Sequence, residues 1–444
     1  MNINIPNSVS SIISSLEKNG FEAYIVGGCV RDSLLGLEPN DWDICTNAKP
    51  EQVKLCFSDN VKIIETGIKH GTVTVIIEHQ PYEVTTYRVD GDYSDNRHPN
   101  EVKFVSNIKE DLSRRDFTIN AMAYSSSTGL IDYFNGRNDL DKKLISCVGN
   151  SDKRFVEDAL RIMRALRFAS TYGFVIANST QISLKQNKEL LTNISAERIN
   201  IELCKLLCGK GAEYILSNYA EILCVFIPEI KDIINFQQHN PYHNLDVWQH
   251  TIKSIVSIPQ EVVLRLTMLF HDIGKPLSYK SDEQGIGHFY CHAQYSSDIA
   301  TKILKRLKFD NDTILQVNKL ILYHDADIQP QNSHIKHWLN KIGEQSLRQL
   351  IQVKQADIMA QNIEYRDSRL AKLKEVTNCI DYVIEQQQCF SLNDLAVNGN
   401  DLIDAGVPQG LQIGIILNKL MDKVIDEQVV NEKSELLKLI SNIF

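Results

Sequence analysis

Ile-Val-Gly-Gly-Cys-Val-Arg-Asp at residues 25–32, followed by Asn-Asp-Trp-Asp-Ile-Cys-Thr at residues 40–46, is the stretch around which the chain is organised. An apolar run that ends in a glycine pair predicts a strand followed by a turn, and a short helix is predicted from residue 31. A second strand is predicted over residues 41–45. Because alternate residues of a strand point to the same face, Asp41 and Asp43 are expected to project together.

The glycine pair and the two carboxylates together indicate phosphate chemistry. Glycine lets backbone N–H groups approach a triphosphate with no Cβ in the way. Two carboxylates on one edge can hold the divalent cations that nucleotidyl transfer requires. We therefore expect a nucleotidyltransferase. Glu83, in the strand-like run 82–86, is a candidate third acid, and an exposed strand residue is the equally good alternative.

Composition narrows the class of protein. The 444 residues carry a formal net charge of −9, which argues against a protein that coats nucleic acid non-specifically. The ten cysteines are scattered and form no Cys-x-x-Cys motif, so we expect reduced thiols in a cytoplasmic protein. No run approaches about 18 apolar residues and the first residues do not resemble a signal peptide, so no membrane attachment is expected.

The hydrophobic pattern changes along the chain. Strand-like and helical runs mix over residues 1–150, with a polar loop predicted at 90–100, whereas helical periodicity dominates after Arg154. Nine of the twelve histidines fall between His239 and His337, which marks a separate helical module. The predicted fold class is therefore α+β, a small mixed α/β head followed by all-helical parts, and no strand is expected after Arg154. The predicted domains are a head at 1–150, a helical neck at 151–225, a histidine-rich module at 226–365 and a helical tail at 366–444.

A second polar motif, Asp-Leu-Ser-Arg-Arg-Asp-Phe-Thr-Ile-Asn-Ala, occupies residues 111–121. Its adjacent arginines, Arg114 and Arg115, suit polyphosphate contacts because the guanidinium presents a fixed fork of donors. A turn closed by salt bridges is the equally good alternative.

A third motif, Glu-Asp-x-x-Arg-x-x-Arg-x-x-Arg, occupies residues 157–167. Helical residues three apart share one sector, so Asp158, Arg161 and Arg164 are expected to form a row of acceptors and donors. Such a row can recognise the edge of a base. An exposed, charged helix face is the alternative.

Taken in order with Ser-Ala-Glu-Arg-Ile at 195–199, these motifs resemble the class II CCA-adding enzymes (tRNA nucleotidyltransferases) and the related bacterial poly(A) polymerases. The resemblance is strong over residues 20–210 and extends to Asn-Gly-x-Asp-Leu at 398–402. It implies catalytic Mg²⁺ bound by Asp41 and Asp43. It also implies a role for residues 90–100 in switching from C to A addition. The nucleotide-binding residues that it implies are Gly28, Arg31, Arg114, Asp158, Arg161, Arg164 and Arg167.

Within that resemblance, Asp158 and Arg161 select CTP and then ATP, and Arg164 and Arg167 lie beside the phosphates. The expected activity is template-independent addition of C, C and A to tRNA 3′ ends, with the helical neck and tail holding the acceptor arm through its shape and phosphates. The sequence Asn-Asp-Trp-Asp around the metal motif favours CCA addition over poly(A) synthesis. Poly(A) polymerase and partial CC- or A-adding activities remain alternatives.

The histidine-rich module contains an ordered series of His, His-Asp, His, His and Asp. Imidazole and carboxylate ligands suit transition metals, Mg²⁺ or Mn²⁺ and an activated water. The spacing resembles the HD metal-dependent phosphohydrolase domain. This implies one divalent metal at His250, His271, Asp272 and Asp357, and a second at His292 and His324, with Asp325 as a further candidate.

Two alternatives concern this HD domain. It can be a scaffold without turnover. The whole chain can also be an HD phosphohydrolase whose head only binds nucleotide or RNA, although the intact pair of Asp41 and Asp43 argues against that.

Overall fold

The structure, a computed structural model, describes residues 3–57, 61–91 and 101–443. It comprises two compact units, which divide between Pro228 and Glu229. The predicted head and neck lie in the first unit, and the predicted HD domain from residue 229 and the predicted tail lie in the second. Most of the predicted loop, residues 92–100, lies outside the described residues.

The head is built on one mixed sheet. Its elements are α1 (Asn7–Lys18), β1 (Ala23–Val26), α2 (Gly28–Leu34), β2 (Ile44–Thr46), α3 (Pro50–Leu55), β3 (Lys62–Gly67), β4 (Thr72–Ile77), β5 (Gln80–Thr86), β6 (Arg88–Asp90), β7 (Val102–Phe104), α4 (Ile108–Ser113), β8 (Met122–Ser125), β9 (Gly129–Asp132) and α5 (Gly136–Asp141).

The strand order of this sheet is β3-β4-β5-β2-β1-β8-β9, and β6 pairs separately with β7. Within the main sheet β2 and β5 run parallel, and the other pairs are antiparallel. Val73, Val75 and Val84 are fully buried, as alternation along β4 and β5 requires. The predicted strand at 41–45 begins only at Ile44, because β1 ends at Val26 and leaves the preceding residues without a full partner strand.

The rest of the first unit is largely helical. Its elements are β10 (Leu144–Ile145), α6 (Ser151–Glu157), α7 (Leu160–Tyr172), β11 (Val175–Ile176), α8 (Asn178–Gln186), α9 (Ala196–Leu207), α10 (Ala212–Asn218) and α11 (Ala220–Phe226). The expectation of no strand after Arg154 is wrong, since β11 pairs in parallel with β10. Strands of two residues are too short to show the alternation of apolar and polar residues from which a strand is predicted.

The second unit packs helices around a buried helix, α13. Its elements are α12 (Val247–Val256), α13 (Val262–Phe270), α14 (Lys275–Ser278), β12 (Tyr279–Ser281), β13 (Gly287–Phe289), α15 (His292–Arg306), α16 (Asn311–Tyr323), α17 (Asn332–Ile342), α18 (Glu344–Met359), α19 (Ile363–Glu385), α20 (Gly399–Asp404), α21 (Leu411–Ile425) and α22 (Lys433–Ile443).

Residues 264–270 of α13 are all buried, and α12, α16 and α18 pack against this helix. The predicted all-helical character needs one correction, because β12 and β13 form a small antiparallel hairpin. Residues from the tail, among them Leu402, Leu420 and Leu436, form a separate hydrophobic core. In the part of the chain that the structure describes, no helix is long and apolar enough to cross a membrane.

Candidate functional site

The glycine turn lies where the sequence predicts it, between β1 and α2. Gly27 has φ +80°, a backbone conformation that L side chains rarely adopt. A Cβ at Gly27 would also lie 2.8 Å from Nη1 of Arg115. The turn therefore requires glycine for its backbone and for the close approach of an arginine from the second motif.

The two predicted metal carboxylates lie in the segment directly before β2, and their side chains are exposed. The carbonyl oxygen of Asp43 accepts a hydrogen bond of 3.0 Å from the N–H of Val26. Because Ile44 pairs with Val84 in the parallel register of β2 and β5, Glu83 lies beside Asp43 at the same edge. Desolvation raises the pKa of Asp43, and the charges of Glu83 and Asp41 add to the increase, while Arg115 opposes it.

A cleft of about 230 Å³ opens beside these carboxylates. Asp43 and Glu83 line it together with Arg88, Arg114 and Arg115. Acidic and basic groups thus meet in one cleft, which suits a phosphate that is bound through cations and guanidinium groups.

The second motif forms a salt-bridged turn, and its two arginines also line this cleft. The salt-bridged turn and the phosphate-contacting role, which the sequence leaves as alternatives, are therefore compatible. Arg114 Nη2 lies 2.8 Å from the carboxylate of Asp111, and Arg115 Nη2 lies 3.5 Å from it. Burial opposes ionisation of Asp111, yet the two arginines lower its pKa. From the sequence both arginines suit phosphate contacts, and the family resemblance implies Arg114. Arg115 is the arginine that approaches Gly27 and acts electrostatically on Asp43, and only the tertiary structure distinguishes the two.

Arg31, a predicted triphosphate ligand, is buried, with 6% of its surface exposed. Its Nε donates to Asp32 Oδ1 at 2.9 Å, and Nη1 donates to Asn120 Oδ1. The guanidinium carbon lies 5.1 and 4.9 Å from the ring centroids of Phe168 and Tyr172. In this conformation Arg31 joins the glycine turn to α7. Gly28 lies next to it, since an added Cβ would be 3.6 Å from Nη2 of Arg31.

The third motif does not lie on one continuous helix, which corrects the prediction for Asp158. α6 ends at Glu157, and Asp158 has extended backbone angles, φ −140° and ψ 100°. Its carboxylate accepts a hydrogen bond of 3.0 Å from the N–H of Leu160, which replaces the helical pairing at this break. Burial raises the pKa of Asp158, although Arg161 opposes the shift.

Each arginine of this motif is paired with a carboxylate. Arg161 Nη1 donates to Glu157 Oε2 at 3.0 Å and Nη2 to the main-chain oxygen of Arg114 at 3.0 Å. The row of free donors that the sequence predicted is therefore engaged within the protein. The bond to Arg114 also connects the third motif to the second.

The remaining two arginines hold α7 against its neighbours. Arg164 Nη2 donates to Asp116 Oδ2 at 2.6 Å. Arg167 donates to Glu202 at 2.8 Å, and its guanidinium carbon lies 3.6 Å from the centroid of the Phe168 ring. Burial opposes ionisation of Asp116, but Arg164 and a hydrogen bond from Asn120 lower its pKa well below the usual range.

The second unit brings the predicted HD residues into two clusters that share Asp272. In each cluster the ligand atoms lie within 4.8 Å of one another. The first cluster comprises His250, His271, Asp272 and Asp357, and the second comprises Asp272, His292 and His324. Among the described residues these two clusters are the groups of three or more with such spacing, and Asp325, although it lines the cleft above them, is in neither.

The two oxygens of Asp272 face different clusters. Oδ2 lies 3.4 Å from His250 Nε2 and 3.3 Å from His271 Nε2. Oδ1 lies 3.4 Å from His292 Nε2 and 3.7 Å from His324 Nε2. The carboxylate thus has the arrangement of a group shared between two cations.

The histidine rings are oriented by backbone carbonyl groups. Nδ1 of His271, His292 and His324 lies 2.8, 2.9 and 2.6 Å from a carbonyl oxygen three residues earlier. Each Nδ1 therefore carries the proton, and the lone pair of Nε2 points into the cluster. His250 Nε2 lies 3.3 Å from that of His271, and His292 Nε2 lies 3.1 Å from that of His324. Facing lone pairs at these distances require a positive charge between them, which a proton or a metal ion can supply.

The charge balance agrees with this requirement. Asp272 and Asp357 raise the pKa of His271 to about 10, although burial opposes the shift. The site thus favours a positive charge at this point, which a proton or a metal ion can supply. All of these ligands except Asp357 are buried.

A cleft of about 370 Å³ leads to the two clusters. Its wall includes His243, which the sequence analysis missed. Burial, Lys275 and His250 lower the pKa of His243 to about 2, so this imidazole stays neutral. Its position seven residues before His250 is the only sequence signal, and spacing alone does not distinguish it from other histidines in the module.

Comparison with family models finds three matches. Residues 23–146 match the poly A polymerase head domain, residues 173–233 match a probable RNA and SrmB-binding site of polymerase A, and residues 277–440 match a putative tRNA nucleotidyltransferase domain 2.

Full-length relatives are also found. The chain is 35% identical over 433 residues to the CCA-adding enzyme of Limosilactobacillus reuteri, covering 97% of this chain and 95% of that protein. It is 35% identical over 438 residues to that of Oceanobacillus iheyensis, with coverages of 96% and 94%. The crystal structure of the Bacillus stearothermophilus CCA-adding enzyme in complex with CTP matches with TM-score 0.67 and 28% identity, covering 98% and 96% of the two chains. The Thermotoga maritima CCA-adding enzyme complexed with tRNA-CCA has the same fold, with TM-score 0.62 and 19% identity over 100% and 97%.

Proposed function

Because the chain belongs to the family of CCA-adding enzymes, we propose that it adds C, C and A to the 3′ end of tRNA from CTP and ATP. The observation that carries this proposal is 35% identity to CCA-adding enzymes across 97% of the chain. It is supported by a structural relative that binds CTP and by the convergence of the three sequence motifs in the first unit. Because tRNA is the substrate, we propose the cytoplasm as the location.

The proposed reaction is nucleotidyl transfer. The tRNA 3′ oxygen forms a bond to the α-phosphorus, and the bond from this phosphorus to the oxygen bridging to the β-phosphate breaks. Pyrophosphate leaves, and the hydroxyl proton passes to solvent. Arg114 and Arg115, which line the cleft beside Asp43, are placed to bind the phosphates through their guanidinium donors.

Mg²⁺ fits the head site through Asp41 and Asp43. Mg²⁺ in proteins is usually held by one or two carboxylates and the substrate's phosphates, and it retains several waters. The two exposed carboxylates match that donor set. When bound, Mg²⁺ lowers the pKa of the attacking hydroxyl and neutralises charge on the triphosphate. Glu83 adds negative charge at the same edge.

Base selection is assigned to Asp158 and Arg161. A carboxylate and a guanidinium offer an acceptor and donors to the edge of cytosine or adenine. Since Arg161 is bonded to Glu157 and to the backbone of Arg114, reading a base requires exchange of at least one of these bonds. Arg164 and Arg167 support α7 beside this position.

The test is incubation of the protein and Mg²⁺ with tRNA that lacks its 3′ CCA. CTP alone, ATP alone and both nucleotides are supplied in separate reactions. Ordered addition that stops after three residues supports the proposal. A long A tail on unrelated RNA identifies a poly(A) polymerase, and addition that stops at CC or requires a preformed CC end identifies a partial enzyme.

A second function is favoured by the geometry of the HD domain. We propose that Asp272 is shared by two divalent metal ions, one held by His250, His271 and Asp357 and the other by His292 and His324. Such a site would hydrolyse phosphate esters, in which a water oxygen bonds to phosphorus, the ester bond breaks and the alcohol leaves with a proton. Metal content and release of p-nitrophenol from p-nitrophenyl phosphate, measured with Mn²⁺, Mg²⁺ and Zn²⁺, test this proposal. Bound metal without turnover would identify a scaffold.

A further inference from the structure

His243 lies beside the metal clusters but is not part of them. Its ring meets the His250 ring edge-on, with centroids 4.9 Å apart and an interplanar angle of 85°. A tight turn fixes its backbone, because the N–H of His243 donates to the carbonyl oxygen of Asn240 at 3.0 Å. The position of this ring is therefore determined by the fold.

The hydrogen bonding of His243 differs from that of the predicted ligands. Nδ1 of His271, His292 and His324 each faces a backbone carbonyl oxygen. Nδ1 of His243, by contrast, is shielded from solvent and has no hydrogen-bond partner among the described residues. A buried polar atom without a partner is costly, so its retention beside a metal site points to a partner that arrives with the ligand.

Other polar side chains of the same wall are already engaged. Lys275 Nζ lies 2.7 Å from Asp272 and 2.7 Å from Gln238 Oε1. His288 Nε2 lies 2.8 Å from Asp282 Oδ2. The Arg369 guanidinium donates to Gln361. His243 differs from these three residues because its Nδ1 has no hydrogen-bond partner within the part of the chain that the structure describes.

We propose that His243 is a substrate-contacting residue of the HD site, which hydrogen-bonds through its imidazole to a phosphoryl oxygen of the phosphate ester. The inference rests on the proposed hydrolytic function. An imidazole offers an N–H donor, and His243 lines the same cleft as Asp272, His292 and Asp357. Because the contact exists in the bound ester, its loss weakens binding of substrate and of product phosphate more than it slows turnover.

The experiment compares the full-length protein with His243→Phe, which keeps an aromatic ring against His250, and with His243→Asn, which keeps a donor. His288→Phe is the matched control, since His288 lines the same cleft and has a protein partner. Each protein is loaded with Mn²⁺ and its metal content is measured. Hydrolysis of p-nitrophenyl phosphate is then followed, together with the affinity for inorganic phosphate. CCA addition to tRNA is the check on folding.

We expect His243→Phe to keep its metal and its CCA addition but to raise KM and weaken phosphate binding by about 10- to 100-fold, since hydrogen bonds to charged groups have that magnitude. His243→Asn should recover part of the loss, and His288→Phe should match the wild type. If His243→Phe leaves the phosphate affinity and KM unchanged, the inference is overturned, whereas the proposed metal site is not. Loss of metal in His243→Phe would also overturn it, by giving the residue a supporting role for the ligands. A wild type that binds no metal would refute the proposed HD function itself, and the inference with it.

Discussion

Arg161 donates a hydrogen bond of 3.0 Å through Nη2 to the main-chain carbonyl oxygen of Arg114. This bond joins the motif proposed to select the base to the motif proposed to bind phosphate. Arg114 in turn lines the cleft beside Asp43. A change at Arg161 can therefore affect both base selection and phosphate binding, whereas the carboxylate of Asp158 accepts its hydrogen bond from the N–H of Leu160, which lies outside the second motif.

Substitution of Asp158 by alanine separates these two effects. We expect loss of discrimination between CTP and ATP by about 10- to 100-fold, because a base-edge contact contributes about 1–3 kcal/mol, with a smaller effect on total incorporation. Single-turnover incorporation with CTP, UTP and ATP on tRNA ending before CCA measures the selectivity. Asp152→Ala is the control, since Asp152 is an exposed carboxylate of α6 that accepts hydrogen bonds from Ser183 and Asn187. Unchanged selectivity in Asp158→Ala would contradict the proposed role.

Asp43→Asn tests the head metal site. Removal of the charge should reduce incorporation by at least about 100-fold, as loss of a group that stabilises transition-state charge typically does. Hydrolysis of p-nitrophenyl phosphate by the HD site should be unaffected. The matched control is Asp141→Asn, an exposed carboxylate of the head that pairs with Arg137 at 3.1 Å. Substantial incorporation by Asp43→Asn would mean that the catalytic carboxylate lies elsewhere.

The raised pKa of Asp43 predicts the acidic limit of nucleotidyl transfer. The ionised carboxylate is the form that holds a cation, so activity should fall as the pH drops through a pKa above the ordinary aspartate value. Glu83 raises the pKa of Asp43, and Glu83→Gln should therefore move this limit to lower pH. Rates measured against pH at saturating Mg²⁺ give the shift. Movement of the limit to higher pH would contradict the proposed coupling.

The pair of Asp116 and Arg164 should stabilise the first unit. Asp116→Asn leaves a half-buried guanidinium with a weaker acceptor and should lower the free energy of unfolding by about 1–3 kcal/mol. Because the pKa of Asp116 is lower in the folded protein, its contribution is present above the unfolded pKa of about 3.9 and is lost as the pH falls below it. Hydrogen exchange of the α7 amides in urea measures the free energy of unfolding of the wild type and of Asp116→Asn at pH 7 and at about pH 3.5. The difference in this free energy between the two proteins should be smaller at the lower pH. An equal difference at both pH values would exclude the ionic contribution.

Much of the site follows from the sequence because its residues lie in short, ordered motifs. The glycine turn follows from local pattern, since a glycine-bearing turn is a local structure, whereas Asp43 lies just before β2 and not within the predicted strand. The sequence does not predict the break at Asp158, because the helical spacing of apolar residues continues from α6 into α7. This spacing therefore gives no sign that the helix is interrupted. The particular contacts of Arg115 and the place of His243 at the metal site could not be predicted, for a different reason. Their importance arises from contact with Gly27 and with His250, and such contacts depend on how distant segments pack.

The shared carboxylate of Asp272 gives the last prediction. Because its two oxygens face different clusters, Asp272→Asn should lose both metal ions, whereas His292→Ala should lose only the ion of the second cluster. Metal analysis of protein purified with Mn²⁺ measures the two contents. Metal binding should strengthen as the pH rises, since the ion replaces the proton whose pKa on His271 is about 10. His337→Ala, a histidine of the same unit that pairs with Asp426 at 2.9 Å on the surface, should retain both ions. Equal metal loss in Asp272→Asn and His292→Ala would show that the two ions bind as one cooperative unit and that Asp272 has no special bridging role.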